Sequence, residues 1–297
     1  MATRAVGAAP AARPWVAVAD YVRLTKPRVI SLLLVTTAGA MFVAASGLPD
    51  GWIFLWTMIG GYLAAGGANA INHYVDRDID GLMSRTTARP VVSGRVTPVR
   101  ALVFGIVLGA SSAILLGTLV NWLAAALAMV GLALYVGVYT LWLKRSTTQN
   151  IVIGGAAGAV PPLVGWAAVT GELSLTAWLL FAIVFYWTPP HFWALALILR
   201  ADYQAAGVPM LPVVRGEDAT KRQILLWSLV MVGVSVLPVV SGAAGLGYLV
   251  VALALGVPFV ALALRLDRNP GIGWARPVFS YSLIYLALLF VALSVGL

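Results

Sequence analysis

Nine long apolar stretches alternate along the chain with short polar or charged ones. They cover approximately residues 28–47, 52–73, 99–120, 122–142, 150–170, 176–199, 224–242, 245–264 and 278–296. Each has roughly the ~20 residues that an α-helix needs to cross the hydrocarbon core of a bilayer. The pattern therefore predicts an all-α, polytopic membrane protein with nine transmembrane helices.

Helix-breaking residues cluster inside the fifth and sixth of these stretches. Pro161 and Pro162 follow three glycines in the fifth, and Pro189 and Pro190 stand in the sixth. Irregular backbone is tolerated at membrane depth where other protein segments or a cavity surround it. We therefore expect the helices to enclose a central cavity.

The composition excludes a soluble globular domain. The 297 residues are 61% hydrophobic and only 10% charged, and the mean hydropathy is +0.96. The chain contains no cysteine, which excludes disulfides, thiolate metal sites and cysteine nucleophiles. Residues 1–20 begin with an alanine- and proline-rich segment that lacks the apolar core of a secretory signal. We predict a disordered cytoplasmic tail there.

The basic residues predict an orientation in the membrane. All 19 Lys and Arg residues lie before the first span, in the loops that follow spans two, four, six and eight, or at the adjoining helix ends. The opposite loops carry only Asp50 and Glu172. By the positive-inside rule the N-terminus is cytoplasmic and the C-terminus lies outside. The net charge of +9 then reflects orientation, and no nucleic acid is expected as a partner.

The stretch NHYVDRDIDGLMSRTTARP (72–90) concentrates oxygen-bearing and basic side chains just after the second span. Asn72, Asp76 and Asp80 recur every four residues, which on a helix places them on one face. Carboxylates at the mouth of a membrane helix are costly unless they hold a cation or pair with opposite charges. We expect them to hold Mg²⁺, which with nearby bases would hold phosphate groups; the alternative is a solvated loop with incidental charges. The nearby bases are Arg77, Arg85, Arg89 and Arg95.

Two further cytoplasmic loops carry candidate ligands. Lys144 and Arg145 stand just before the fifth span, where two bases ahead of a helix N-terminus suit a phosphate group. Otherwise they serve only to orient the chain. Asp202, just beyond the sixth span, is either a second metal ligand or a helix-end acid paired with Arg200.

The positions of the two histidines predict different roles. His191 lies inside the sixth span, directly after the two prolines, and a histidine within a span is a functional candidate. It could ligate a porphyrin iron, act as a base or stabilise a cation; the alternative is a packed histidine bonded to a backbone carbonyl. His73 points about 100° away from Asn72 around the helix, so we expect it at most to support the acidic face from behind.

Together these features resemble the UbiA-type intramembrane prenyltransferase superfamily, which includes the ubiquinone and menaquinone prenyltransferases. From about Leu24 to Gln223 the chain resembles its protoheme IX farnesyltransferases, the heme O synthase family. Two details depart from the wider superfamily: Ala206 stands where a second acid often follows Asp202, and Tyr139 and Lys144 are five residues apart. The matching segments are LTKPRVI (24–30), the stretch 72–90, YTLWLKRSTTQNIVIGG (139–155), PPHFWALAL (189–197) and DYQAAGVPMLPVV (202–214).

The resemblance implies a Mg²⁺-dependent enzyme. It would transfer a farnesyl group from farnesyl diphosphate to the vinyl group of heme b (protoheme IX), with addition of water, giving heme O for terminal oxidases. Residues 21–297 would form one intramembrane prenyltransferase domain in a prokaryotic cell (inner) membrane, with the active site facing the cytoplasm. A downstream heme-modifying enzyme is a candidate partner beside the lipid bilayer. The alternatives are a prenyltransferase with a quinone-precursor or chlorophyll-type acceptor and, less favoured by the acidic face, an anion transporter.

The resemblance also implies roles for individual residues. A departing diphosphate needs its growing negative charge stabilised, which Mg²⁺ and fixed cations do best in a dry site. Mg²⁺ would be held by Asn72, Asp76, Asp80 and Asp202, and the diphosphate by Lys144 and Arg145, with Lys26, Arg28, Arg85 and Arg89 as weaker candidates. The catalytic residues would be Asp76, Asp80, Lys144 and Arg145, and heme would be bound by His191 and Arg200. Candidates to line an aromatic chamber for the allylic cation are Phe185, Tyr186, Trp187, Phe192 and Trp193.

Overall fold

A computed structural model describes residues 14–295, and all regular structure within this range is helical. The predicted all-α class is therefore confirmed. The helices are α1 (Pro14–Thr25), α2 (Pro27–Ala45), α3 (Gly51–Val75), α4 (Arg77–Asp80), α5 (Pro98–Leu119), α6 (Trp122–Ala133), a π-helical segment (Leu134–Leu143), α7 (Lys144–Ser146), α8 (Asn150–Thr170), α9 (Leu175–Ile198), α10 (Arg200–Ala205), α11 (Leu211–Val214), α12 (Gly216–Val240), α13 (Leu246–Arg268) and α14 (Ala275–Ser294).

Long helices occupy all nine predicted spans, since α6, the π-helical segment and α7 form one continuous helix of 25 residues, Trp122–Ser146. Within residues 14–295, eight helices are long and apolar enough to cross a membrane. The span outside this set is α3, whose asparagines and glycines make it less apolar. The polytopic membrane protein is thus confirmed, whereas a crossing by α3, and with it the count of nine, stays a prediction.

The long helices pack as a ring in chain order, in which α14 returns to α2. The most extensive contacts across this ring join α2 to α8 and α9 to α14. These four helices therefore form an inner circuit, and the remaining long helices lie around it. Large buried side chains such as Tyr248, Phe259 and Tyr285 fill the half of the bundle made by α9, α12, α13 and α14. The predicted central cavity stays a prediction.

The position of α3, which carries the acidic face, is fixed by close contact with α5. A Cβ on Gly67 would lie 2.7 Å from the Gly105 carbonyl oxygen, and a Cβ on Gly105 would lie 2.8 Å from that of Gly67. Small residues of this kind let membrane helices approach closely. At the other end of α3, the Asp50 side chain accepts from the Ile53 amide at 2.9 Å and caps the helix.

The prediction for the N-terminus is wrong in part. Residues 1–13 lie outside the described range, but residues 14–20 of the expected disordered tail belong to α1. This helix is held by tertiary contacts that its alanine- and proline-rich surroundings do not reveal. Asp20 is 2% exposed and accepts from Arg95 Nε at 3.0 Å on both oxygens, and Tyr21 packs edge-on against Phe104 with ring centroids 4.9 Å apart.

The absence of cysteine allows a direct test of orientation, because each introduced thiol is the only one in the chain. We expect Leu48→Cys and Glu172→Cys to react with a membrane-impermeant maleimide added to intact cells. Ser93→Cys and Asp218→Cys should react only after permeabilisation, since they share the side that carries the basic residues. Labelling of Leu48→Cys and Ser93→Cys from one side would show that α3 does not cross the membrane.

Candidate active site

The predicted oxygen-bearing face lies where α3 ends. The Asp76 amide donates to the Asn72 carbonyl at 2.9 Å, and the Asp80 amide donates to the Asp76 carbonyl at 2.8 Å, so the helical spacing continues into α4. All three side chains are at most 2% exposed, and Asn72 Nδ2 donates to Asp76 Oδ2 at 2.7 Å. The sequence spacing thus produces a buried set of amide and carboxylate oxygens.

Two bases of α7 lie against this face. Lys144 Nζ donates to Asp76 Oδ2, and a guanidinium nitrogen of Arg145 lies 3.6 Å from Asp76 Oδ1. Arg145 also donates to both oxygens of Asp78, at 2.6 and 2.8 Å. These hydrogen bonds are the main reason why the pKa of Asp78 is lowered to about 2. Lys144 and Arg145 therefore lie against the acids, and Arg145 is shared with a second carboxylate, while their binding of a diphosphate stays a prediction.

Asp78 is a site residue that the sequence reasoning missed. It stands between Asp76 and Asp80 in the run DRDID, and a helix with the four-residue spacing turns it away from their common face. Its role depends on Arg145, 67 residues later in the chain. The dense run of acids was the available signal.

Two further cations come from other segments. Arg89, in the loop between α4 and α5, donates to Asp80 Oδ2 at 2.5 Å, and Lys26, between α1 and α2, donates to Asn72 Oδ1 at 2.8 Å. The Lys26 backbone has φ 55° and ψ 63°, which is the left-handed region that residues other than glycine rarely adopt. Such strain persists where the surrounding structure imposes it and is concentrated at functional sites. The strained turn brings Nζ to Asn72.

The cations lie close enough to repel one another. The pKa of Lys26 is lowered well below its usual value, first by burial and then by the positive charges of Arg89 and Lys144. Four cations, including Arg145, surround three carboxylates, those of Asp76, Asp78 and Asp80. A partly buried site with this surplus is suited to an anionic ligand.

The π-helical segment contributes a hydroxyl that the sequence reasoning also missed. Thr140 is fully buried, and its Oγ1 donates to the Tyr135 carbonyl at 2.8 Å while lying 3.2 Å from Asn72 Nδ2. Thr140 lies within the π-helical segment, a conformation that is rare and frequently found at functional sites. Thr140 and Lys144 thereby face the same point of α3.

The donor set fits Mg²⁺. Asp76 Oδ1 and Asp80 Oδ1 are buried carboxylate oxygens without a hydrogen-bond partner among the described residues. Unpaired buried carboxylate oxygens are costly unless a cation binds them, and Mg²⁺ takes one or two carboxylates together with water and phosphate oxygens. Within residues 14–295 no three His, Asp or Glu side chains are grouped to hold a metal ion.

Asp202 does not join this set. Its Oδ1 accepts from the Ser84 backbone amide at 3.1 Å and from the Ser84 hydroxyl at 2.9 Å, and its Oδ2 accepts from the Arg85 backbone amide at 3.5 Å. The alternative pairing with Arg200 is wrong, because Arg200 binds Glu217 at 2.9 Å. Asp202 thus connects the loop after α9 to the loop after α4, and its role as a second metal ligand stays a prediction.

The remaining predicted phosphate ligands lie further from the acids. The Arg28 side chain is exposed and makes no ion pair with the described residues. Arg85 Nη2 donates to the Tyr203 hydroxyl at 3.4 Å, and its guanidinium lies over the Tyr203 ring, 5.6 Å from the centroid. Neither is brought to Asp76 or Asp80 by a hydrogen bond.

The two predicted heme-binding residues are separated. Arg200, bound to Glu217, lines a polar cleft of about 710 Å³ between the ends of α9, α12 and α13. His191 is 6% exposed inside α9 and packs against Trp187, Phe192 and Phe279. Its Nδ1 is bonded to the Ser282 hydroxyl at 2.6 Å rather than to a backbone carbonyl. Heme binding by both residues stays a prediction.

His73 is buried near the end of α3. It is 2% exposed, and neither ring nitrogen has a hydrogen-bond partner among the described residues. A buried imidazole in this state carries the desolvation cost of unpaired polar atoms, about 1–3 kcal/mol for each group. The prediction that His73 only supports the acidic face from behind stays untested.

Comparison with known proteins gives one family and many relatives. Residues 32–284 match the UbiA prenyltransferase family. A Chloroflexus aurantiacus protein named protoheme IX farnesyltransferase is 56% identical over 292 residues, which cover 98% of this chain but only 49% of that protein. This chain thus spans about half the length of that relative. A Gloeobacter violaceus protein of the same name is 53% identical over 277 residues, covering 93% of this chain and 91% of the relative.

Solved structures share the fold at low sequence identity. A digeranylgeranylglyceryl phosphate synthase superposes with a TM-score of 0.77 and 18% identity, covering 94% of this chain and 98% of that one. A UbiA homolog from Archaeoglobus fulgidus, bound to GPP and Mg²⁺, superposes with a TM-score of 0.63 and 15% identity, covering 93% of this chain and 99% of that one. These likenesses concern the fold alone.

The contacts of Asp202 yield a test of its role. Asn can still accept from Ser84, so we expect Asp202→Asn to unfold at the wild-type temperature. Asp202→Ala and Ser84→Ala should each lose about 0.5–1.5 kcal/mol, the usual contribution of a hydrogen bond. Stabilisation by added Mg²⁺, measured by thermal unfolding of the purified protein, should be unchanged in all three. A smaller Mg²⁺ effect in both Asp202 variants, but not in Ser84→Ala, would instead identify Asp202 as a metal ligand.

Proposed function

Because this chain belongs to the UbiA prenyltransferase family, we propose that it transfers a farnesyl group from farnesyl diphosphate to the vinyl group of heme b, with addition of water, to give heme O. Relatives with 52–56% identity over most of the chain are named protoheme IX farnesyltransferase, which supports this acceptor and donor. Membership of a prenyltransferase family leaves no support for the alternative of an anion transporter.

One observation carries the proposal: buried carboxylate oxygens of Asp76 and Asp80 that accept no hydrogen bond from the described residues lie within a group of four cations. An anion alone would be repelled by the acids, and a metal cation alone would be repelled by the bases. A diphosphate bound together with Mg²⁺ would suit both groups, since the carboxylates would hold the metal ion and the bases would hold phosphate charge.

Ionisation of the donor is the step that these residues would promote. When the bond between C1 of the farnesyl group and the diphosphate oxygen breaks, negative charge grows on the leaving group. Lys144 and Arg145, held in place by Asp76 and Asp78, would bind the diphosphate both before and after this bond breaks. Mg²⁺, when bound by Asn72, Asp76 and Asp80, would add charge neutralisation at the same oxygens. Lys26 and Arg89 would hold the remaining phosphate charge.

The chamber beyond the diphosphate must exclude water until the acceptor is attacked. Phe181, Phe185 and Tyr186 of α9 form a contiguous aromatic series, with ring centroids 6.0 and 5.4 Å apart. Aromatic faces stabilise positive charge in such surroundings. The farnesyl C1 would bond to the terminal carbon of the heme vinyl group, leaving positive charge on the inner carbon. Water then adds there and releases a proton, which balances the reaction as heme O and diphosphate.

The proposal also implies where in the cell the reaction takes place and how the heme is oriented. The acids, α7 and the loop carrying Arg89 would face the cytoplasm of a prokaryotic cell, where both substrates are charged at one end and apolar at the other. His191 would meet the heme, and Arg200, roughly nine residues or about 13 Å further along the chain, would lie toward a propionate. A downstream heme-modifying enzyme would receive the product from the bilayer.

Removal of either carboxylate charge tests the proposal. We expect Asp76→Asn and Asp80→Asn to lower the rate of heme O formation by about 10²–10³, the usual loss for one group that stabilises transition-state charge. The assay is purified protein in lipid discs with heme b, farnesyl diphosphate and Mg²⁺, followed by mass analysis of the porphyrins. Glu172→Gln, which removes an exposed carboxylate from the opposite loops, serves as control. Near-normal rates in either aspartate variant, or a full rate in chelator, would contradict the metal site.

The bases of α7 are expected to bind the donor. Arg145→Ala should raise the KM for farnesyl diphosphate by about tenfold, equivalent to about 1.4 kcal/mol, at unchanged kcat if the charge binds ground state and transition state alike. Lys144→Ala should do the same and also destabilise the protein, because it leaves the buried Asp76 carboxylate without its closest cation. Exposed Arg222→Ala is the matched control. A lower kcat at unchanged KM would show that the base stabilises the departing diphosphate instead. No change in either constant would show that both residues only orient the chain in the membrane.

A further inference from the structure

The imidazole of His191 is enclosed on both faces. The Trp187 ring stacks on it with centroids 4.3 Å apart and planes 20° apart, and the Phe279 ring stacks on it at 4.8 Å and 28°. Phe192 packs against it at right angles, at 4.9 Å. Because a lone pair on an imidazole nitrogen lies in the ring plane, this packing leaves only the edge of the ring to meet a ligand.

The hydrogen bonds of Ser282 determine which nitrogen carries the proton. Ser282 Oγ lies 2.6 Å from His191 Nδ1 and 2.6 Å from the Phe279 carbonyl oxygen. A carbonyl cannot donate, so the single hydroxyl proton must lie between Ser282 and Phe279. The bond to His191 then requires Nδ1 to be the donor, with the serine oxygen accepting.

The ring is also neutral. An imidazolium would be a charge inside a membrane helix, which requires an opposite charge or a water-filled cavity. The ring contacts of His191 are with aromatic side chains and one hydroxyl, and no described carboxylate bonds to it. With Nδ1 protonated and the ring neutral, Nε2 carries the lone pair. Nε2 has no hydrogen-bond partner among residues 14–295.

Ser282 holds a second side chain of the same helix. Its backbone carbonyl accepts from Trp187 Nε1 at 2.7 Å, so one residue of α14 fixes both His191 and the ring stacked on it. Pro189 and Pro190 lie between these two α9 residues and remove two backbone donors there. The orientation of the imidazole therefore depends on α14 more than on the local helix.

We propose that Ser282 is a positioning residue that keeps His191 in the Nδ1–H form, so that Nε2 is presented as an axial ligand to the iron of the porphyrin acceptor. Metal-binding histidines generally donate their other ring N–H to a fixed oxygen, which sets the tautomer and raises the basicity of the ligand nitrogen. The inference rests on the proposed function for the identity of the acceptor. Its tests are chosen to be independent of farnesyl transfer.

The tautomer is directly measurable, since the chain contains only two histidines. In bilayers, ¹⁵N-histidine solid-state NMR separates protonated from unprotonated ring nitrogens, and His191→Gln identifies which signals belong to this residue. We expect a protonated Nδ1 and a bare Nε2 in the protein without heme. Ser282→Ala should give a mixture of both forms, and Ser282→Thr, which keeps the hydroxyl, should restore the single form. A protonated Nε2 in the wild-type protein would overturn the proposal.

Heme affinity supplies the second test. Absorbance titration with heme b should show a histidine-ligated spectrum that His191→Ala removes. Ser282→Ala should weaken heme binding by about 10–100-fold, the usual effect of removing the partner of a metal-binding histidine. Metal-free protoporphyrin should bind the wild type and Ser282→Ala alike, since it has no iron to ligate. Equal loss for both porphyrins would show that Ser282 acts on packing only, and would overturn the proposal even if Ser282→Thr does not fold.

These outcomes separate the inference from the proposed function. A protein with the Nδ1–H form and Ser282-dependent heme affinity, but no heme O product, contradicts the proposed reaction and supports the ligand. A protein that makes heme O while its heme spectrum and affinity survive in His191→Ala contradicts the ligand and supports the reaction.

Discussion

The buried ion pair of Lys144 and Asp76 is the interaction on which the arrangement of the site depends. Asp76 is fully buried, and Lys144 is only 7% exposed. Breaking such a pair by removing one partner typically costs about 3–5 kcal/mol, because the other charge is left buried and uncompensated. This cost stabilises the contact between the end of α3 and the start of α7, which lie 68 residues apart in the chain. Lys26 and Arg89 join from two further segments.

A second buried carboxylate extends this network to the N-terminal helix. Arg95, which binds Asp20 of α1 through Nε, also donates from Nη2 to the Ala88 carbonyl at 2.8 Å. Ala88 directly precedes Arg89, the partner of Asp80. The position of α1 is thereby coupled through one arginine to a cation of the site. Since α1 precedes the residues that match the family, 32–284, this coupling is a feature of the chain that the family match does not describe.

Much of the fold could be predicted from the sequence, because a membrane helix is recorded locally as a long apolar run. The spacing of Asn72, Asp76 and Asp80 is equally local, and it predicted their shared face. The pairs that complete the site are not local: Arg145 meets Asp78 across 67 residues, and Ser84 meets Asp202 across 118. No sequence periodicity specifies which acid will pair with a given base. Asp78 was therefore missed, and Asp202 was expected to bind a metal ion or Arg200 rather than Ser84. The prediction of a disordered tail was wrong over residues 14–20 for a similar reason, since the contact that holds this helix involves a distant residue, Arg95.

The charges of the site bear on how many metal ions it suits. When Lys26 carries its proton, the four cations Lys26, Arg89, Lys144 and Arg145 exceed the carboxylates of Asp76, Asp78 and Asp80 by one positive charge. A diphosphate ester carries about −3 near neutral pH, because the last proton of a phosphate monoester leaves with a pKa of ~6. One Mg²⁺ with such a diphosphate brings −1, and the occupied site is then neutral. A second Mg²⁺ would leave two positive charges uncompensated in a buried setting, and Asp202, the acid of the other loop, is bonded to Ser84. Under the proposed function, charge balance therefore favours a single metal ion, which is consistent with Ala206 standing where a second acid often follows Asp202.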